Sequence, residues 1–367
     1  MGKGRSALAA LAAGWFCLTA LAPPHLVVAR LPEPAALLSA GGTAAEPVAP
    51  GEQYPPEPHQ RALPSARPAP RRAPDVRLAV DVSATADSNR TNGSDLKTVP
   101  IDFGNGPLPV PLDPNLREKA GVGIGASTTA NVRLPVAKDL ALALDAEGYV
   151  VDYAGGASDD QSLLLAGGFE FGSGAVPDAS VQLIAFDRWY GGVNAMEGVG
   201  LRANYRQPLG KGETLRLAVD ARVFDSAYGE AFGGSQASLY LSYDSVLDPS
   251  TSASIGGWAH REWLNDDVFS YTEAGLYGGL SHYLGPSLTG GVTAGVSRTW
   301  FDAPFLMLGP DARRDWRLYG SVWVASRRPV LLGVTPSLTY TYNRTSSSIG
   351  YYRSDRHRLR FGLGRKF

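Results

Sequence analysis

From Asp75 to Phe367 the chain is written in alternation, with apolar residues at every other position, and this spacing limits the fold more than any other feature. Val76, Leu78, Val80 and Val82 alternate with Arg77, Asp81 and Ser83; Leu215, Leu217, Val219 and Val223 alternate with Arg216, Asp220 and Arg222. Successive side chains of a strand point to opposite faces, so each segment is greasy on one side and polar on the other. A helix would scatter both sets. Val330 to Tyr342 shows the pattern over a long run. Val330, Leu332, Val334, Leu338, Tyr340 and Tyr342 face one way; Gly333, Thr335, Ser337, Thr339 and Thr341 face the other. The last residues behave alike, with Leu359, Phe361, Leu363 and Phe367 on one parity and Arg356, Arg358, Arg360 and Lys366 on the other. A free apolar edge ending there invites aggregation in water. A strand that closes a barrel has no free edge, and its apolar side meets lipid.

Segmenting on this alternation gives fourteen expected strands: 75–87, 119–134, 138–152, 160–172, 178–190, 196–207, 212–225, 235–246, 251–263, 268–283, 287–301, 313–326, 329–342 and 350–367. Every second connection is short and marked by proline or glycine, as in "LPVAKD", "QPLGKGE" and "VLDPST"; the others include the long "SNRTNGSDLKTVPIDFGNGPLPVPLDPNLRE" and "DAPFLMLGPDA". Tight turns on one rim and longer loops on the other are the asymmetry of a bacterial outer-membrane barrel. The expected fold class is therefore all-β, a transmembrane antiparallel β-barrel of about fourteen strands. A soluble sandwich is the alternative reading of the same strands.

Composition removes other classes. Lys and Arg number 34 against 35 Asp and Glu, which argues against a nucleic-acid binder that works through excess positive charge. Beyond the first thirty residues no stretch approaches the roughly 20 apolar residues of a membrane helix. Lys3 and Arg5 precede an apolar run from Ala7 to Ala22 that Pro23 and Pro24 interrupt, the layout of a secretory signal peptide with cleavage after Ala29; an N-terminal membrane anchor is the alternative. The only cysteine, Cys17, lies inside that run, so the expected mature chain holds no thiol. Residues 30–74 carry proline every few positions without apolar periodicity and are expected to form a disordered tether. The expected domains are 1–29, 30–74 and the barrel, 75–367.

Tyr and Trp favour a bilayer interface. Trp189, Tyr190, Trp263, Trp300, Tyr342, Tyr351 and Tyr352 fall near loop-side strand ends, and Tyr205, Tyr243 and Tyr283 near turn-side ends. Parity assigns the charged residues to the face away from lipid, where they avoid a penalty of roughly 2 to 4 kcal/mol per Arg or Lys at the midplane. The expected lumen-facing set includes Glu147, Arg202, Arg206, Arg222, Glu273, Arg317, Arg358 and Arg360, together with Arg77, Asp81, Arg133, Asp145, Glu170, Arg216, Asp220, His260 and Glu262. Both signs occur. Cross-strand ion pairs that fill the interior are one reading; a basic ladder from Arg317 to Arg358 and Arg360 that guides a client is the other.

Motifs for chemistry are weak. "GVGIGAS" at 121–127 lies in a strand with no following helix, which disfavours a phosphate loop. Asp159-Asp160 and Asp266-Asp267 are more economically read as solvated loop acids than as calcium ligands. His260 and Glu262 share a face, as a barrel-embedded hydrolase would need, but no serine can be singled out to complete a triad. No enzyme, cofactor or metal is expected.

The segment Tyr342 to Phe367, "YNRTSSSIGYYRSDRHRLRFGLGRKF", resembles the final hairpin of the surface lipoprotein assembly modifier barrel: an arginine, a serine-rich turn, an aromatic strand start and a terminal phenylalanine. Asp87-Ser88-Asn89 is similar to the close of that family's first strand. The resemblance covers about residues 75–367 and implies a fourteen-stranded barrel. It also implies that Phe367, with Leu363, Phe361 and Leu359, forms a C-terminal signal read by the barrel-assembly machinery. Many members carry tetratricopeptide helices before the barrel, where this sequence has the proline-rich segment. The implied partners are outer-membrane lipid, the assembly machinery and a lipoprotein or secreted scavenging protein as client. Two further functions compete: a diffusion or substrate channel, and a structural surface protein or adhesin. The segment from Ser88 to Glu118 is the expected lid or plug.

Overall fold

The structure, a computed structural model, describes residues 74–367 apart from 103–105, 156–158, 173–177, 211 and 331–332. The expected signal peptide and all but the last residue of the expected tether lie outside the described residues.

Sixteen strands form in chain order. They are β1 (Asp75–Asp87), β2 (Thr98–Asp102), β3 (Pro107–Pro111), β4 (Gly121–Ala137), β5 (Leu140–Tyr153), β6 (Asp160–Phe171), β7 (Ala179–Tyr190) and β8 (Val193–Gly210). There follow β9 (Glu213–Asp225), β10 (Gly234–Asp248), β11 (Thr251–Leu264), β12 (Tyr271–Tyr283), β13 (Leu288–Phe301), β14 (Arg314–Ser326), β15 (Thr335–Ser347) and β16 (Ser354–Lys366). All but β2 and β3 close into one antiparallel barrel of fourteen strands, in which each strand pairs with its sequence neighbours and β1 pairs with β16. The seam runs from Ala79 opposite Lys366 to Asp87 opposite Arg358.

The alternation determines what the wall does. Leu183, Ile124, Leu276 and Val76 keep 65 to 69% of their surface exposed on one parity, while Ser83, Asp220, His260 and Glu273 on the other are buried. So large a contiguous apolar exterior is untenable in water and suits a bilayer. No helix among the described residues is long and apolar enough to cross a membrane; crossing falls to the strands.

Thirteen of the fourteen expected segments coincide closely with barrel strands, and one is displaced. The run placed at 329–342 starts as strand only at Thr335 and continues to Ser347. The Val330 amide instead donates to the Val334 carbonyl across a turn in which Gly333 sits at φ 77°. The serines read as a turn therefore extend the strand, because Asp315 on β14 pairs with Ser347. The second departure lies in the first long connection, where β2 and β3 form a hairpin of five residues each. Pro100, Pro107, Pro109 and Pro111 hide it from a propensity reading.

Candidate functional site

The closed wall has two ends. The rim where β1 begins and β16 ends holds tight turns such as 249–250, and the other holds 88–120, 226–233, 265–270, 302–313 and 348–353. Over the loop rim, the connection 88–120 is ordered by its own core. Val99, Ile101, Leu112 and Leu116 are buried against Tyr351, with Met307, Leu308, Ile349 and Tyr352 packed around them. Each fully buried aliphatic side chain contributes about 1.5 to 3 kcal/mol. Gly93 lies so close to the Arg117 backbone that a Cβ there would collide with it. Arg117 donates to the carbonyl of Leu112, 2.8 Å away, which fixes the return of the loop.

Burial pushes the Tyr351 phenol well above its usual range; neighbouring Tyr352 adds to the rise and Arg313 works against it. A raised phenol stabilises the packed loops fully below the unfolded value near 10, and that stability is lost as pH rises through the folded value. The cap is thus expected to hold unchanged from pH 5 to 9 and to loosen above about pH 10, where the unfolded phenol ionises. Hydrogen exchange at Val99 and Ile101 across that range checks it, and loosening already at neutral pH would contradict it.

Directly beneath, Asp87 closes the seam. Its side chain is fully buried, takes two hydrogen bonds of 3.0 Å from Arg356 Nε and a third of 2.7 Å from Arg356 Nη2. Arg358 Nε reaches it at 3.3 Å and the Tyr153 hydroxyl donates to it at 3.0 Å. Asn89, also fully buried, accepts from the Gly93 amide and donates to the Gly93 carbonyl, and its own backbone amide donates to Asp87 at 3.0 Å, tying cap to wall.

The lumen is crossed by a polar row. Register sets Asp220, Ser238, His260, Glu273, Thr299, Asp315 and Ser347 side by side on β9 to β15, and all seven are buried. Ser238 Oγ lies 2.8 Å from His260 Nδ1, and His260 Nε2 lies 3.3 Å from Glu262, which also accepts from the Tyr271 hydroxyl at 3.1 Å. The serine that sequence could not single out is therefore Ser238, the cross-strand partner of His260. Ser238, His260 and Glu262 keep only 4, 2 and 1% of their surface, so a substrate has no approach to the hydroxyl. The three tie β10 to β11.

Cations predicted for the lumen carry carboxylate partners. Arg317 meets Glu273 at 3.4 Å, Arg202 meets Asp220 at 3.2 Å and Glu147 at 3.9 Å, Arg222 meets Asp220 at 2.6 Å, and Arg206 meets Asp178 at 3.1 Å. Arg358 shares Asp87, and Arg360 is bound to Asp81. The structure therefore does not line up Arg317, Arg358 and Arg360 as bare charges. It brings each to an acid. Below the row, Trp258 lies 6.2 Å from Tyr277 and 6.1 Å from Tyr319 by ring centroid, a tilted aromatic cluster on the lumen face.

Of the expected girdle, Trp263 and Trp300 are exposed on the lipid parity and Tyr205 likewise. Tyr190 and Tyr283 take the inward parity, and Tyr351 is cap core. Trp316, 52% exposed on the lipid face, belongs to the girdle and was not expected there. Phe367, Leu363, Phe361 and Leu359 lie on β16 or just beyond it with 40 to 61% of their surface exposed. A cavity of about 30 Å³, water-sized, lies between the loops beside Phe269, Phe305 and Arg313. Among the described residues no cluster of His, Cys, Asp and Glu is arranged to hold a metal ion.

The family model for the surface lipoprotein assembly modifier matches residues 77–367. No curated protein matches the chain. Among solved structures, a bacterial polysaccharide outer membrane secretin is 11% identical, with 80% of this chain and 98% of that one covered at a TM-score of 0.43. The outer membrane channel DcaP of Acinetobacter baumannii is 10% identical, with coverage of 83 and 100% and a TM-score of 0.43. The outer membrane protein OprD from Pseudomonas aeruginosa is 11% identical, with coverage of 80 and 94% and a TM-score of 0.40.

Proposed function

We propose that this chain, which belongs to the surface lipoprotein assembly modifier family and lies in the bacterial outer membrane, passes an exported protein client from the periplasm to the cell surface. The observation that carries the reading is the family match, which spans the barrel from its first strand to its last residue. The paired charges and aromatic contacts of the lumen face add to it. A diffusion channel works through a standing aqueous path, whereas here arginines are neutralised by acids and a cluster of Trp258, Tyr277 and Tyr319 occupies one wall.

In this reading the barrel is a closed gate. The client is a lipoprotein or soluble secreted protein, the cap formed by 88–120 is the part that must move, and the paired lumen charges are the surface exposed when it does. A polar face of both signs suits an unfolded chain in passage, since neither sign holds it fast. Transport by this route makes and breaks no covalent bond.

The test is surface display. Candidate clients are labelled on intact cells with and without this protein, and the purified barrel is placed in a planar bilayer. Loss of display of one client, together with small or absent resting conductance, is the expected pair. Unchanged display of every candidate, with a large steady conductance, would instead establish a solute channel.

A further inference from the structure

Outside the barrel, near the loop rim, Arg298 occupies a lipid-facing position. It shares its parity with Val296 and Trp300, and its guanidinium lies 5.2 Å from the ring centroids of both Trp300 and Trp316. Its Nε is sealed from solvent and has no hydrogen-bond partner among the described residues. One row nearer the rim, register sets Arg261, Thr272, Trp300 and Arg314 side by side; in its own row Arg298 is flanked by Ala274 and Trp316. Arg344 follows one row further in, beyond Leu318. Asp302 grips both ends of the Arg261 fork, 2.7 Å from one of them, with Asp267 adding to the attraction, and Asp355 lies 3.9 Å from Arg344; among the described residues no ion pair forms on Arg298 or Arg314.

The bias is local. On β7 to β9 the lipid parity instead carries Asp187, Glu197 and Asp225 in adjacent register. Depth is set by Trp263, Trp300 and Trp316, whose rings belong at the boundary between acyl chains and headgroups. An arginine facing lipid there is penalised far less than at the midplane, so it is tolerated and available to headgroups. Held within 5.2 Å of two indole centroids, the guanidinium is a planar donor fork of the kind that suits a phosphate. Below it Leu276, Val296 and Leu318 present an apolar surface, 66, 40 and 50% exposed.

We infer that the β11–β15 face binds a phosphorylated glycolipid of the outer leaflet. The phosphate lies against Arg298 and Arg314, and the acyl chains lie along Leu276, Val296 and Leu318.

The full chain, delipidated in detergent and reconstituted in phosphatidylcholine nanodiscs, is titrated with a bis-phosphorylated glycolipid, its dephosphorylated form and inorganic phosphate; bound lipid is counted by native mass spectrometry. Retention of the phosphorylated form is expected to exceed that of the dephosphorylated one by about tenfold, and Arg298→Ala is expected to weaken it by a similar factor. Arg298→Lys, which keeps the charge and loses the fork, should recover only part, and Asp187→Asn on β7 should change nothing. Equal retention of the two lipids, or an Arg298→Ala barrel that stays folded and binds normally, overturns the inference. Displacement by millimolar inorganic phosphate also overturns it, in favour of a free-anion site. Should Arg298→Ala fail to fold, Arg314→Ala at the rim decides by the same readout.

Discussion

Asp87→Asn is expected to destabilise the barrel by about 3 to 5 kcal/mol, the cost of leaving buried cations without their counter-charge. The carboxylate is fully buried and neutralises Arg356 and Arg358 while accepting from Tyr153. Asparagine keeps the shape and one acceptor but supplies no charge, so two guanidinium groups would face each other at the seam. Because β1 meets β16 here, the damage falls on the pairing that closes the cylinder. Urea unfolding in detergent, followed by the mobility of the unheated barrel on a gel, reads the loss. The double variant Asp87→Asn with Arg356→Gln is expected to lose less than the sum of the single changes, since the residues act as a unit. An unchanged unfolding midpoint in Asp87→Asn would show that the cluster carries no stability.

Gly275→Val should cost about 3 kcal/mol, the upper end of what overpacking usually causes. Gly275 faces Trp258 across β11 and β12, and a Cβ built at Gly275 would fall inside the indole's van der Waals envelope. The ring cannot swing aside, because Tyr277 and Tyr319 stand on its flanks. The same exchange recurs between Gly295 and Tyr319, so bare backbone opposite an aromatic ring is a repeated device of this wall. Combining Gly275→Val with Trp258→Ala is expected to restore part of the loss by vacating the space. A thermal midpoint for Gly275→Val equal to that of the parent would mean that the ring has somewhere else to go.

The closed wall was legible because one physical rule, a face for lipid and a face for water, is imposed on every barrel strand, and it leaves a two-residue period in the sequence. Thirteen segments followed from it. The displaced one failed because the sequence from Val330 to Val334 imitates that period ahead of the strand, and only the partner strand reveals that Asp315 wants Ser347. The hairpin at 98–111 failed for another reason: its prolines speak against strand locally, and its stability comes from Tyr351 and Met307, far away in sequence. Parity also separated inward charges from outward apolar residues. What it could not supply is partnership. Asp87 shares the parity of Asp81, and Arg356 that of Arg358, yet parity does not pair them with each other. That they meet depends on the stagger of β1 against β16, which no single strand encodes.

That stagger has a kinetic consequence. Asp87 and Arg358 are 271 residues apart, so the pairing that turns a sheet into a ring is among the least local in the molecule. Contacts of such separation form slowly, because the loop entropy is lost before the contact is gained. A partly built barrel therefore waits as an open ribbon with β1 unpaired along one side, and it becomes a cylinder only when β16 arrives. Whatever delays that arrival lengthens the time for which the first strand is available to the wrong neighbour.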